Sequence, residues 1–92
     1  MFLLKMEIKV EDKGSYFLVE VIEDSKTEHK VTLNEEDYER LSEGKCSKED
    51  LIKKSFEFLL EREPKESILR EFNLTLISKY FSEYEEEIKK RI

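Results

Sequence analysis

Every second residue from Phe2 to Val10 is apolar (Phe2, Leu4, Met6, Ile8, Val10), and from Lys5 onward the residues between them are charged: Lys5, Glu7, Lys9 and Glu11. A period of two puts one set of side chains on one face of an extended strand and the other set on the opposite face. The pattern predicts a strand with one face buried and one face in water. Asp12-Lys13-Gly14-Ser15 follows as a turn, and Gly14 accepts the positive φ of a tight hairpin. Tyr16 to Glu23, rich in aromatic and β-branched residues, predicts a second strand.

Two registers are open to this hairpin. A two-residue loop at Lys13-Gly14 sets Val10 opposite Phe17, Ile8 opposite Val19 and Met6 opposite Val21, apolar throughout. A bulge at Gly14 sets Met6 opposite Glu20 and Val10 opposite Tyr16, and is therefore the poorer choice. A third strand is expected over residues 28–33, with His29, Val31 and Leu33 on one face and Lys30 and Thr32 on the other. The second strand carries apolar residues on both faces: Phe17, Val19 and Val21 against Tyr16, Leu18 and Ile22. It is therefore expected at the centre of a three-stranded antiparallel meander, with its second face covered by another layer or by a partner chain.

At Asn34 the period becomes helical. Asn34 and Ser47 are N-caps, each with an aspartate three residues on, Asp37 and Asp50. Gly44 is the expected stop of the first helix. Leu51, Ile52, Phe56, Leu59 and Leu60 form the broadest apolar stripe in the chain, expected to pack across the sheet. Pro64 ends that helix or opens the next, whose apolar side is Ile68, Leu69 and Phe72. Residues 74–81 have strand-like composition, but their apolar spacing continues to Ile88 as a helical repeat. A capping box at Ser82-Glu83-Tyr84-Glu85 would mark a bend. The expected fold is α+β: one domain over residues 1–92, with a three-stranded antiparallel β-meander over 1–33 and four or five short helices over 34–92 packed on the sheet.

Composition narrows the function. Leu, Ile, Val and Phe make up 28 of the 92 residues, about 30%, enough for one core and too few for two. No apolar run approaches the ~18–20 residues of a bilayer span, and the charges after Leu4 exclude a secretory leader. A cytoplasmic location is the expectation. One cysteine makes no internal disulfide, and one histidine seeds no multi-histidine metal site. Two glycines cannot build a phosphate loop. A net charge of −6 opposes non-specific binding to nucleic acid or anionic lipid. Its 19 Glu and 13 Lys, with only two Asn and no Gln, fit a thermophilic source or an AT-rich genome equally well.

No constellation for catalysis emerges. His29 reads as a partly covered edge-strand residue, or else as a lone acid/base. Cys46 reads as a staple residue against Leu51, or else as a thiol activated at a helix start. The acidic runs are solvated helix faces. The expectation is a domain without catalytic residues, cofactor or metal.

Two family resemblances add to this reading. His29-Lys-Val-Thr-Leu-Asn-Glu-Glu-Asp-Tyr-Glu-Arg-Leu41, with Ser47 to Leu59 after it, resembles a ribbon-helix-helix repressor or antitoxin. That resemblance implies base reading by Lys30 and Thr32 and a phosphate held at the helix start by the backbone around Ser47. The acidity of the chain, Glu28 and Glu35 beside the reading strand, and the intramolecular partner offered by Tyr16–Glu23 make it the alternative. Residues 56–84 carry a resemblance, running over most of the chain, to a small family of uncharacterised prokaryotic proteins, which implies a stand-alone domain and no particular activity. The Arg62-Glu63-Pro64-Lys65-Glu66-Ser67 stretch carries either a shared surface site (Arg62, Glu63, Lys65, Glu66) or a helix end, a proline start and charge pairs. The expected function is a small cytosolic protein-interaction or accessory domain, a homodimer through a sheet face or the last helix being compatible with it.

Overall fold

The computed structural model describes residues 6–92. The alternation at Phe2, Leu4 and Lys5 lies outside the described residues. Strands β1 (Glu7–Asp12), β2 (Phe17–Ile22) and β3 (Lys26–Thr32) form the antiparallel meander. Helices α1 (Glu35–Ser42) and α2 (Lys48–Leu60) follow, then a 3-10 turn at Lys65–Ser67. A fourth strand, β4 (Glu71–Asn73), pairs parallel with β3 and gives the sheet order β1-β2-β3-β4. A 3-10 turn at Leu74–Leu76, α3 (Ile77–Tyr80) and α4 (Tyr84–Arg91) complete the chain.

The fold is thus α+β, but the sheet is mixed and four-stranded rather than a three-stranded antiparallel meander, and the second half is not wholly helical. Residues 68–73, expected as a helix, run extended because β3 has a free edge there: the Lys30 amide donates to the Arg70 carbonyl at 2.7 Å. A three-residue strand is too short to show a period, and the tertiary bond decides its conformation. With β4 in place, β3 as well as β2 is an interior strand, and both edges of β3 are occupied at Lys30 and Val31.

The β1–β2 register also differs. Val10 faces Val19, Ile8 faces Val21 and Asp12 faces Phe17, a slip of two residues from the expected pairing. The loop is longer because Asp12 Oδ1 accepts the Gly14 amide at 2.8 Å and the Lys13 amide reaches the Tyr16 carbonyl at 2.9 Å. A slip of two preserves the face of every side chain, but on β1 that face is only half-buried at Ile8 and Val10, and Met6 is exposed.

One core fills the space between the sheet and the helices. Phe17, Val19, Val21, Val31 and Phe72 from the strands meet Leu51, Ile52, Phe56, Phe58 and Leu59 of α2 and Tyr84 and Ile88 of α4. On the other face Lys9, Glu28, Lys30 and Thr32 are exposed, and Leu18 and Ile22 are half-buried with Tyr16 beside them. No second layer of the described residues covers that face.

Helix ends follow local chemistry. Asn34 Oδ1 accepts the Asp37 amide at 2.8 Å, and Ser47 Oγ accepts that of Asp50 at 3.1 Å. The left-handed turn after α1 begins one residue early, at Glu43 (φ 53), before Gly44 (φ 75). The chain bends at Phe81 as expected, but Glu83 precedes α4 with no side-chain cap. Glu85 bonds Arg40 of α1, while Glu86 and Glu87 pair one turn on with Lys90 and Arg91. Among the described residues no helix is long and apolar enough to cross a membrane.

Candidate functional site: an apolar groove beside the fourth strand

Residues 64–73 cross from α2 to the sheet edge and are tied down at three places. Pro64, with no amide hydrogen, opens the 3-10 turn, and its carbonyl accepts the Ser67 amide at 2.9 Å. Lys65 is the first tie. Its side chain is only 4% exposed, and Nζ lies 2.8 Å from Glu66, 3.3 Å from Glu23 and 3.8 Å from Asp24. It pins the turn to the β2–β3 connection, and its hydrogen bond to Glu66 leads the effects that raise its pKa.

His29 is the second tie. Its ring is buried against Phe56, with centroids 5.4 Å apart. Nδ1 lies 2.8 Å from the Leu69 carbonyl and Nε2 2.9 Å from Thr27 Oγ1. A carbonyl only accepts, so Nδ1 carries the proton and, in the neutral ring, Nε2 accepts from the threonine hydroxyl. Burial holds the His29 pKa below the usual imidazole value. It is therefore a fully buried interior-strand residue, where the sequence suggested a partly covered edge one. The β3–β4 ladder is the third tie.

With its backbone fixed in this way, the segment forms one wall of a groove of about 410 Å³. Leu59, Ile68, Phe72 and Ile77 are its buried lining, and Leu76, Tyr80 and Phe81 are its more exposed apolar lining. Leu69 and Tyr80, both in the lining, are 47% and 68% exposed. Glu63 is the sole charged lining residue and Ser67 the sole hydroxyl besides that of Tyr80. The size falls within the range of ligand sites, and the lining suits an apolar side chain far better than a reacting polar group.

The surface stretch read from the sequence is divided by this geometry. Arg62 lays its guanidinium 3.6 Å from the Phe58 ring centroid and donates to the Phe58 carbonyl at 3.1 Å, so its planar head is occupied in packing. Lys65 is buried in its carboxylate cluster and Glu66 points outward beside it. Of the four charged residues only Glu63 reaches the groove. Of the residues singled out for nucleic acid, Lys30 and Thr32 lie exposed on the open sheet face, and Ser47 uses its hydroxyl on the Asp50 amide. Lys30 turns its ammonium over Tyr16, 5.2 Å from the ring centroid.

Cys46 sits beneath Tyr38, whose hydroxyl donates to the Cys46 carbonyl. Burial, with Asp50 nearby, pushes its thiol pKa up, the opposite of activation. A second concavity, lined by Met6, Ile8, Glu57, Leu60, Glu61 and Arg91, has its cation satisfied: Arg91 makes a two-pronged bond to Glu61 at 2.7 and 2.8 Å. Among the described residues no three His, Cys, Asp or Glu side chains converge as a metal site.

Apart from Glu63 and Ser67, the groove residues were visible in the sequence only as apolar residues of expected helices. The available signal was a surplus: Leu69 and Tyr80 add large apolar surface that neither stripe needs. Compared with protein-family models, curated proteins and solved structures, the chain has no match.

Proposed function

We propose that this chain is a small non-catalytic interaction domain of the cytoplasm that binds a partner polypeptide through the groove beside β4. The observation that carries the reading is the pair Leu69 and Tyr80, large side chains that line one apolar groove and stay exposed while Ile68 and Ile77 of the same lining are buried. Scattered exposed apolar residues are ordinary; two lining one apolar concavity mark a contact surface. The backbone beneath Leu69 is fixed by His29 and β3, so the wall is preformed and little ordering cost opposes binding.

Selection of a displayed random peptide library against the protein tests this. Enriched peptides should lose binding to the Leu69→Glu/Tyr80→Glu variant, which alters exposed positions only. Enriched peptides that bind wild type and variant equally would contradict the proposal. The alternative, a ribbon-helix-helix-like regulator, draws support from the exposure of Lys30 and Thr32 on the open sheet face. Glu28 and Glu71 share that face, and the chain as a whole is acidic. Salt-sensitive binding of the purified protein to duplex DNA, lost in Lys30→Ala, would favour it.

A further inference from the structure

The groove runs under an unfinished sheet edge. In a parallel ladder only alternate residues of a strand turn their amide and carbonyl toward a given neighbour. The Lys30 amide bonds the Arg70 carbonyl, and Lys30 pairs with Glu71 and Val31 with Phe72, so Phe72 directs its backbone groups at β3. The amide and carbonyl of Glu71 therefore point to the open side of β4. Phe72 meanwhile sends its side chain to the groove lining, and Glu71 sends its own to the open sheet face.

Two carboxylates flank this edge, and neither makes an ion pair among the described residues: Glu63 at the groove wall and Glu71 on the outer face. Lys30, the register partner of Glu71, spends its ammonium on Tyr16 instead. We propose that the occupant of the groove is an extended segment of a partner protein in which large apolar residues alternate with Lys or Arg. It adds as a fifth strand beside β4. Its backbone takes the free amide and carbonyl of Glu71, its apolar side chains drop beside Phe72 into the groove, and its basic side chains lie across from Glu71, with Glu63 adding negative potential. Backbone bonds at a sheet edge supply affinity and the pockets for alternate side chains supply specificity. The net charge of −6 steers a basic segment inward. This inference rests on the groove being the contact surface.

The test uses a synthetic peptide alternating leucine or phenylalanine with lysine, titrated into the labelled protein and followed by NMR and amide exchange. Groove resonances should shift and the Glu71 amide should become protected. N-methylation of the peptide residue facing Glu71 should weaken binding about tenfold. Glu71→Gln and Glu63→Gln should each weaken it about two- to fivefold, an effect lost in high salt. Equal binding by the N-methylated peptide, with Glu71 exchange unchanged, overturns strand addition while leaving the groove reading in place. Groove resonances unmoved by millimolar peptide overturn both. A concentration-dependent dimer that Leu69→Glu abolishes assigns the groove to a second copy and overturns the basic-segment occupant.

Discussion

The Nδ1–H of His29 is bonded to the carbonyl of Leu69, forty residues further along the chain, at 2.8 Å. This bond fastens the groove wall to an interior strand. It joins the most buried polar ring of the sheet to a residue that is half exposed on the proposed contact surface.

A pH dependence follows from that burial. Removal from water holds the His29 pKa below its ordinary value, with Arg70 acting in the same direction and the Leu69 bond against them. The unfolded chain therefore binds the proton first as pH falls, so the His29 contribution is complete above about pH 6.5 and is lost as pH drops through the folded-state value. Wild type should lose more thermal stability between about pH 7 and pH 5 than His29→Asn, which keeps a donor for Leu69 without titrating. Glu20, Glu61 and Glu66, whose pKa values are lowered by hydrogen bonds to Lys26, Arg91 and Lys65, stay ionised across that window. Parallel melting curves of the two proteins check it, together with the position of the His29 ring resonance.

A second expectation concerns the buried hydroxyl pair. Ser55 Oγ donates to the Leu51 carbonyl at 2.8 Å, so the Tyr84 hydroxyl must be the donor in the 2.6 Å contact between them. Tyr84→Phe leaves Ser55 bonded to Leu51 and should cost about 0.5–1.5 kcal/mol. Ser55→Ala leaves a fully buried Tyr84 hydroxyl without an acceptor and should cost more, about 1–3 kcal/mol. Urea denaturation of both variants reads the order directly.

Lys65 offers a test by salt. Lys65→Met keeps much of the stem but leaves Glu23, Asp24 and Glu66 facing one another. The variant should melt below wild type, and the deficit should shrink between about 20 mM and about 500 mM salt as the carboxylates are screened. In wild type the Lys65 pKa is raised, so its contribution is present below the ordinary lysine value and lost only as strongly alkaline pH deprotonates it.

Glu43 is the one non-glycine residue with positive φ among those described. A left-handed conformation there favours glycine or asparagine, and Gly44 already follows. Glu43→Asn should raise stability by about 0.5 kcal/mol, read as a higher denaturation midpoint at unchanged slope.

What could be read from the sequence was what repeats. Alternation located β1 to β3 and assigned each residue to its correct face, and Asn34, Ser47 and the 51–60 stripe located α1 and α2. Residues 68–73 could not be read in this way. Ile68, Leu69 and Phe72 have helical spacing, yet the conformation is set by an unpaired edge of β3 more than thirty residues away in sequence. The candidate site inherits that blindness, since its wall exists only because β4 forms. Glu63 could be picked out from its run of charges, but the division of labour among Arg62, Lys65 and Glu66 depends on Phe58, Glu23 and Asp24, which the sequence does not place beside them.

The groove, its open edge and its occupant all depend on residues 71–73 forming a strand that faces β3 through Phe72 alone. Amide exchange in the free protein tests this most directly. The Phe72 amide should exchange slowly and that of Glu71 fast, with the Lys30 amide protected opposite them. Fast exchange at both Phe72 and Lys30, or helical chemical shifts across 68–73, would contradict the account.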